Sequence, residues 1–114
     1  MKRIWLLALL LACGSSTASH PDLNDEELRF KATARRNKLL GLWAAEKLGK
    51  SGADADAYAK SVVVADFQEA GDEDVVRKVK NDFALASIAI ADAEIRTVMT
   101  ELLVKAVEEI QAGR

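Results

Sequence analysis

A chain of 114 residues suffices for one small domain with a modest core. Sixteen basic residues against eighteen acidic ones give a formal net charge of -2, which excludes nucleic acid or an anionic membrane surface as a default partner. Half of the residues are hydrophobic, but aromatics are few (two Trp, one Tyr, three Phe) and there is one proline. Since Ala, Leu and Val dominate and no useful strand alternation occurs, we expect an all-α domain.

The N-terminal segment differs from the rest of the chain. Lys2 and Arg3 precede an unbroken apolar run over 4–12, which is followed by Cys13. This run is too short to cross a bilayer, which takes about 20 residues, but it matches the hydrophobic region of a secretory signal. The small residue before Cys13 also resembles a lipoprotein signal, which predicts lipidation of Cys13. Residues 14–22 would then form a polar tether.

Two alternatives to export stay open for this leader. It could be a short hydrophobic helix packed on the domain, with Cys13 as an ordinary buried thiol, or a leader joined to an unrelated core. Cys13 is the only cysteine and His20 the only histidine, so neither an intrachain disulfide nor a Cys/His metal site is expected.

The stretch 25–49, DEELRFKATARRNKLLGLWAAEKLG, predicts one long helix. Asn24 is a good N-cap, acidic residues fill the first turn, Lys47 lies in the last turn, and Gly49 can adopt the left-handed conformation that ends a helix. Residues at three- and four-residue spacing predict the core face. They are Leu28, Ala32, Leu39, Leu42 and Trp43.

Basic residues crowd this first helix, whereas acidic residues collect elsewhere. They are Arg29, Lys31, Arg35, Arg36 and Lys38. Such a face is a candidate for binding an acidic protein surface; the alternative is a solvated helix side whose long side chains cover apolar neighbours. Arg35 and Arg36 straddle the predicted apolar face, so they must extend past the core edge or find acidic partners. Phe30 and Leu48 lie opposite that face, against further helices or at a partner surface.

A second helix follows a turn at 50–52. Ser51 and Asp54, three residues apart, predict a capping box at its start, and Gly71 is its predicted end. The inner positions of this helix are Tyr58, Val62 and either Ala65 or Asp66.

The third helix begins after Asp72, with Glu73 and Asp74 in its first turn. Its inner face is Val75, Val76, Val79 and Phe83. Residues 84–91, which are apolar without charge, are predicted to form a buried connector in which Ile88 and Ile90 fill the bundle.

The last helix runs from Asp92 to Gly113 and has the best apolar face in the chain. That face is Ile95, Val98, Met99, Leu102, Leu103, Ala106 and Ile110. The sequence thus predicts a single four-helix bundle preceded by a hydrophobic leader.

No pattern in the chain predicts catalysis. No nucleophile lies beside a base in a recognisable arrangement, there is no glycine-rich phosphate loop, and no helix has metal-binding pairs. The acidic clusters at 25–27 and 72–74 lie at helix starts, where the helix dipole explains them. We therefore expect neither an enzyme nor a cofactor.

The first-helix sequence resembles the zeta inhibitor subunit family of bacterial rotary ATP synthases. Its segment ARRNKLLGLWAAEKLG is too long to match by chance. The resemblance covers residues 24–114 and extends to three later segments. These are Gly71-Asp72-Glu73-Asp74-Val75, Ile95-Arg96 and Glu101-Leu102-Leu103.

The resemblance implies a zeta-like domain over 24–114 and a separate leader and tether over 1–23. Members of the family are small four-helix proteins that bind the catalytic head of the synthase and block ATP hydrolysis while permitting synthesis. Their inhibitory part is a mobile N-terminal segment, which residues 1–23 replace here. The implied function is that of a non-catalytic regulatory protein.

The leader suggests a function of a different class. If residues 1–13 act as a signal, the protein is an exported helical binding protein, anchored to the cell membrane by lipid on Cys13, with an unknown partner. If they do not, the resemblance implies a cytoplasmic protein associated with the synthase. The two locations exclude each other.

Overall fold

The computed structural model describes residues 26–67 and 71–114, which form four helices and contain no strand. They are α1 (Glu26–Lys47), α2 (Gly52–Ala65), α3 (Glu73–Leu85) and α4 (Asp92–Gln111). α1 is the central element because it packs on both α2 and α4, while α3 packs mainly on α2 and α4. This confirms the predicted all-α four-helix bundle. The predicted leader, with Asn24, lies outside the described residues.

The core is one cluster of mostly aliphatic side chains that includes the ring of Phe83. Phe83 of α3 is fully buried, and Trp43 of α1 packs against it with a distance of 5.8 Å between ring centroids. Every helix contributes to this cluster. Its main members are Leu40, Ala44, Tyr58, Val62, Val75, Val79, Phe83, Ile95 and Met99.

Two glycines allow α1 to pack closely on α2 and then to end. A Cβ atom at Gly41 would lie 2.5 Å from the Cα of Ala59, so the two helix backbones touch at this point. Gly49 has a φ of +78°. The amide of Lys50 donates to the carbonyl of Ala45 at 2.8 Å, which completes the turn that ends the helix. The predicted end of α1 is therefore confirmed.

The predicted core face of α1 is correct in its N-terminal half and wrong in its C-terminal half. Leu28 and Ala32 are buried as predicted. Beyond them, Leu39, Leu42 and Trp43 are only half-buried, and the buried residues are instead Leu40, Gly41, Ala44 and Ala45. The buried positions 28, 32, 36, 40 and 44 follow one another in steps of four residues, so the buried face shifts gradually around the helix axis.

The predicted start of α2 is correct, but its capping box is not formed. Ser51 occupies the N-cap position without a side-chain hydrogen bond, and only its carbonyl accepts from the amide of Asp54, at 3.2 Å. Both residues are exposed, so their side chains are accessible to solvent. α2 also ends at Ala65, earlier than predicted. Tight turns follow it, and in one of them the Phe67 amide donates a hydrogen bond to the Val64 carbonyl at 3.0 Å.

The connector between α3 and α4 is more exposed than predicted. Residues 84–87 face solvent, and Leu85 is 86% exposed. Ile88 and Ile90 are half-buried and pack against the core cluster, so they cover its edge without entering it.

The predicted inner faces of the other helices are largely confirmed. Tyr58, Val62 and Ala65 of α2 are buried, and so are all four predicted residues of α3. In α4 the buried members are Ile95, Met99 and Ala106, whereas the others predicted are half-buried.

Candidate partner-binding surface on α1

The five basic residues that the sequence nominates do not form one face. Arg29, Lys31 and Lys38 are exposed, Arg35 is half-buried, and Arg36 is buried with 4% exposure. Their helical positions divide them between two grooves on opposite sides of α1. Lys31, Arg35 and Lys38 line one groove, and Arg29 and Arg36 line the other.

Arg36 is held inside the molecule by a polar cluster. Its Nη2 donates to the Asp72 carboxylate at 2.9 Å, and its Nε and Nη2 donate to Oδ1 of the buried Asn37 at 3.1 and 2.8 Å. Asp72 is the N-cap residue of α3, but its side chain makes no cap hydrogen bond because it faces Arg36. Arg36 thus ties α1 to the start of α3, and it has found the acidic partner that its position requires.

Arg35 and Lys31 also contact carboxylates, although in more exposed positions. The Nη1 atom of Arg35 lies 3.5 Å from Oε1 of Glu109 on α4, and Nζ of Lys31 lies 2.9 Å from Oε1 of Glu27 one turn earlier in α1. Exposed pairs of this kind contribute at most about 1 kcal/mol, so a partner can displace them readily. Arg29 and Lys38 have no ion pair within the described ranges.

A groove of about 600 Å³ lies between α1, α2 and the end of α4, and we call it the basic groove. Four of the residues that line it are cationic: Lys31, Arg35, Lys38 and Arg114. Its apolar lining consists of Phe30, Ala34, Val63 and Ile110. No acidic side chain lines it, so the groove combines an apolar floor with a positive rim.

The opposite side of α1 forms a second groove of about 510 Å³ with α4, and we call it the mixed groove. Its apolar lining is Ala32, Leu103, Val104 and Val107. Its charged lining is Arg29, Arg36, Asp72 and Glu108, two of each sign.

Outside these grooves, the most perturbed titratable group has a structural explanation. Burial, followed by a hydrogen bond to Asp82 at 2.8 Å, raises the pKa of Tyr58 above its ordinary value. Lys78 donates to the same carboxylate at 2.9 Å. These contacts join α2 to α3. In the described part of the chain no group of side chains is suited to hold a metal ion, and none of its helices is long and apolar enough to span a membrane.

Comparison with known proteins places this bundle in a family. The model for "ATPase inhibitor subunit zeta" matches residues 23–109, which include all four helices up to the last turn of α4. The chain belongs to the ATPase inhibitor subunit zeta family.

A solved structure is similar to this zeta family member over most of the chain. It was determined by NMR in solution, and it is 49% identical in sequence with a TM-score of 0.68. The match covers 76% of this chain and 99% of the other. Comparison with curated proteins yields no match.

Sequence reasoning missed part of the basic groove of this zeta family member. The inner positions predicted for the second helix did not include Val63, Ile110 was predicted on the apolar face of the last helix, and Arg114 was given no role. These residues meet Phe30 only because α2 and α4 both pack on α1. The one usable signal was Phe30 itself, an aromatic residue opposite the predicted apolar face.

Proposed function

We propose that this zeta family member is a non-catalytic regulatory subunit that docks on the catalytic head of a bacterial ATP synthase and restrains ATP hydrolysis. The observation that carries the proposal is the family match over residues 23–109. Cys13, the leader and their predicted role in membrane attachment form a separate proposal.

The surface of the bundle supports docking through α1. Arg29 and Lys38 are exposed and without an ion pair among the described residues, and Lys31 is held only by a neighbouring glutamate. Charged residues at the edge of an interface accelerate encounter with a surface of opposite sign and set its orientation. Arg36 contributes indirectly in this proposal, because its contact with Asp72 holds α1 against α3.

A docked subunit needs no catalytic residue to slow hydrolysis. The head passes through different conformations during turnover, and a ligand that prefers one of them lowers the populations of the others. A tenfold preference corresponds to about 1.4 kcal/mol of differential binding. The bundle supplies the binding body on which such a preference acts.

The test uses the full-length protein and the purified catalytic head of the synthase from the same source. We expect saturable co-sedimentation and a slower rate of ATP hydrolysis. A protein that neither sediments with the head nor changes the rate would refute the proposal.

Two triple variants test whether the cations of α1 are needed for docking. The α1 variant is Arg29→Ala/Lys31→Ala/Lys38→Ala, and we expect it to bind at least tenfold more weakly. The control is Lys50→Ala/Lys60→Ala/Lys105→Ala, which removes the same charge from exposed residues elsewhere. Equal losses in both variants would mean that total charge, not α1, determines binding.

The leader supports a second candidate function, that of an exported helical binding protein. The supporting observation is the order of the N-terminal residues, in which basic Lys2 and Arg3 precede the apolar run and Cys13. Cell fractionation followed by intact-mass measurement tests it. A membrane-bound protein that begins at a lipid-modified Cys13 is the expected result, and a soluble protein with unmodified Met1 would exclude it.

A further inference from the structure

The basic groove has the chemistry of a docking site for one kind of segment. We propose that it binds an amphipathic helix of the catalytic head that presents a bulky apolar side chain flanked by carboxylates. This inference rests on the proposed function and names the surface and the partner chemistry for it.

The apolar part of the argument is the exposure of Phe30. This side chain is 63% exposed, although it stands beside half-buried Ala34, Val63 and Ile110. A large ring at the edge of an apolar depression offers substantial area for burial, and aromatic residues of this kind dominate the energetics of protein interfaces. A bulky apolar side chain of the partner would fill the depression against Phe30.

The charged part of the argument is the sign of the rim. Lys38 and Arg114 have no ion pair in the described ranges. Lys31 pairs with Glu27 and Arg35 pairs with Glu109, but neither glutamate lines the groove. Because no acidic residue lines the groove, a segment that brings carboxylates finds partners there, and a basic segment is repelled. The occupant is therefore acidic as well as amphipathic.

The length of the groove along α1 matches a helix. Phe30 and Lys38 are separated by eight residues, which corresponds to about 12 Å, or roughly two helical turns. A helix two turns long presents an apolar residue and its i+3 or i+4 neighbours on one side, as in other complexes in which a helix binds a hydrophobic groove.

The mixed groove does not share these properties. Its two arginines are balanced by Asp72 and Glu108, and Arg36 is already bound to Asp72. It therefore has no preference for one sign of charge, although its apolar lining is comparable.

Two pairs of matched variants of the full-length protein test the proposal against the purified head. Lys38→Glu reverses a charge in the groove, and Lys105→Glu makes the same change on the exposed side of α4 away from both grooves. Phe30→Ala removes the exposed ring, and Leu85→Ala removes an even more exposed apolar side chain at the end of α3. Thermal unfolding verifies that all four variants are folded.

We expect Lys38→Glu and Phe30→Ala each to weaken co-sedimentation about tenfold, with Lys105→Glu and Leu85→Ala within twofold of the wild type. Added salt should weaken wild-type binding more than that of Lys38→Glu, because the variant has lost the screened attraction. If the wild type binds and inhibits while all four variants equal it, the groove inference fails and the proposed function stands. If the wild type does not bind, both fail.

A photoreactive phenylalanine analogue in place of Phe30 identifies the occupant directly. After irradiation of the complex, we expect a cross-link to a helical segment of the head that has carboxylates on either side of an apolar residue. Cross-links to a basic segment, to a second copy of this chain or to its own residues 1–25 would each overturn the proposal.

Discussion

The two halves of α1 place their side chains in very different surroundings. The C-terminal half, residues 37–47, contributes Leu40 and Ala44 to the apolar core and touches α2 through Gly41. The N-terminal half, residues 26–36, is bordered by two grooves and carries most of the charges of the helix. One continuous helix thus combines an anchoring half with a half that is available to a partner.

The half of α1 that contributes to the core cluster is thus distinct from the half in which we propose that a partner binds. An anchoring half that is close-packed gives the bundle a single arrangement. The other half can then expose Phe30 and Lys31 without loss of the fold. Substitutions in the two halves should therefore differ in their effects on the free energy of unfolding.

The largest expected effect compares an apolar residue from each half. Leu40 is 0% exposed, and Leu40→Ala should lower the free energy of unfolding by about 3 kcal/mol because it leaves a cavity. Phe30→Ala should change it by less than about 0.5 kcal/mol, because the ring is mostly in water. Urea unfolding measures both values. Similar losses would contradict the separation of the two halves.

A second comparison tests the buried charge where the halves meet. Asp72→Ala removes the carboxylate that faces Arg36 and should lower the free energy of unfolding by about 2 kcal/mol, because a buried cation is left without its acidic partner. The cap contributes little, since the Asp72 side chain makes no cap hydrogen bond.

The control is the double variant Asp72→Ala/Arg36→Gln. Glutamine removes the charge while its amide nitrogen takes the place of Nε, which donates to Asn37. We expect a coupling free energy of about 1 kcal/mol from the double-mutant cycle. Additive losses would show that the ion pair is not what holds α1 to α3.

α2, on which the anchoring half packs, has a polar contact of its own through Tyr58, and this contact should give stability a pH dependence. Because the pKa of Tyr58 is raised in the folded protein, the stability from its neutral hydroxyl is fully present below pH 10 and declines as the pH rises above that value, where the unfolded tyrosine ionises. Tyr58→Phe should lower stability by about 1 kcal/mol at pH 7 and lose this decline. Lysines also titrate at high pH, so the difference between the unfolding curves of the wild type and Tyr58→Phe at pH 7–11 isolates the contribution of Tyr58. A decline that persists in the variant would assign it to other groups.

The smallest expected effect is a gain in stability just beyond α3. Ser87 has a φ of +61°, a conformation that glycine adopts without strain, and the next amide, that of Ile88, donates to the Phe83 carbonyl at 2.8 Å. Ser87→Gly should raise the free energy of unfolding by about 0.5 kcal/mol or more. Ser87→Ala, which keeps a Cβ atom, should give no gain. Thermal unfolding of the pair measures the difference.

The helix boundaries were largely predictable because they depend on nearby residues. Gly49 ends α1 through hydrogen bonds to residues within one turn, and Gly113 has the same role beyond α4. The prediction was wrong where an alternative of similar energy existed. The exposed Ser51 side chain makes no cap hydrogen bond, and α2 ends before Gly71 in tight turns.

The candidate site was predictable only in part. The sequence identified the basic residues of α1 as candidates, but it did not show which of them would be buried. Asp72, the partner of Arg36, lies 36 positions away in the chain. A position on a helix face does not reveal which neighbour the face meets. The basic groove in particular needs α2 and α4 on the same side of Phe30.

By itself the sequence determined an all-α bundle, the starts and ends of most helices, and a resemblance that identified the family. These features follow from caps, glycines, spacing and local residue order, which act over a few residues. The tertiary structure alone decided which way α1 faces along its length, that Arg36 is buried, and that Phe30 and Lys38 border one groove. These depend on where two other helices cross α1, and such crossings are set by packing of the whole core.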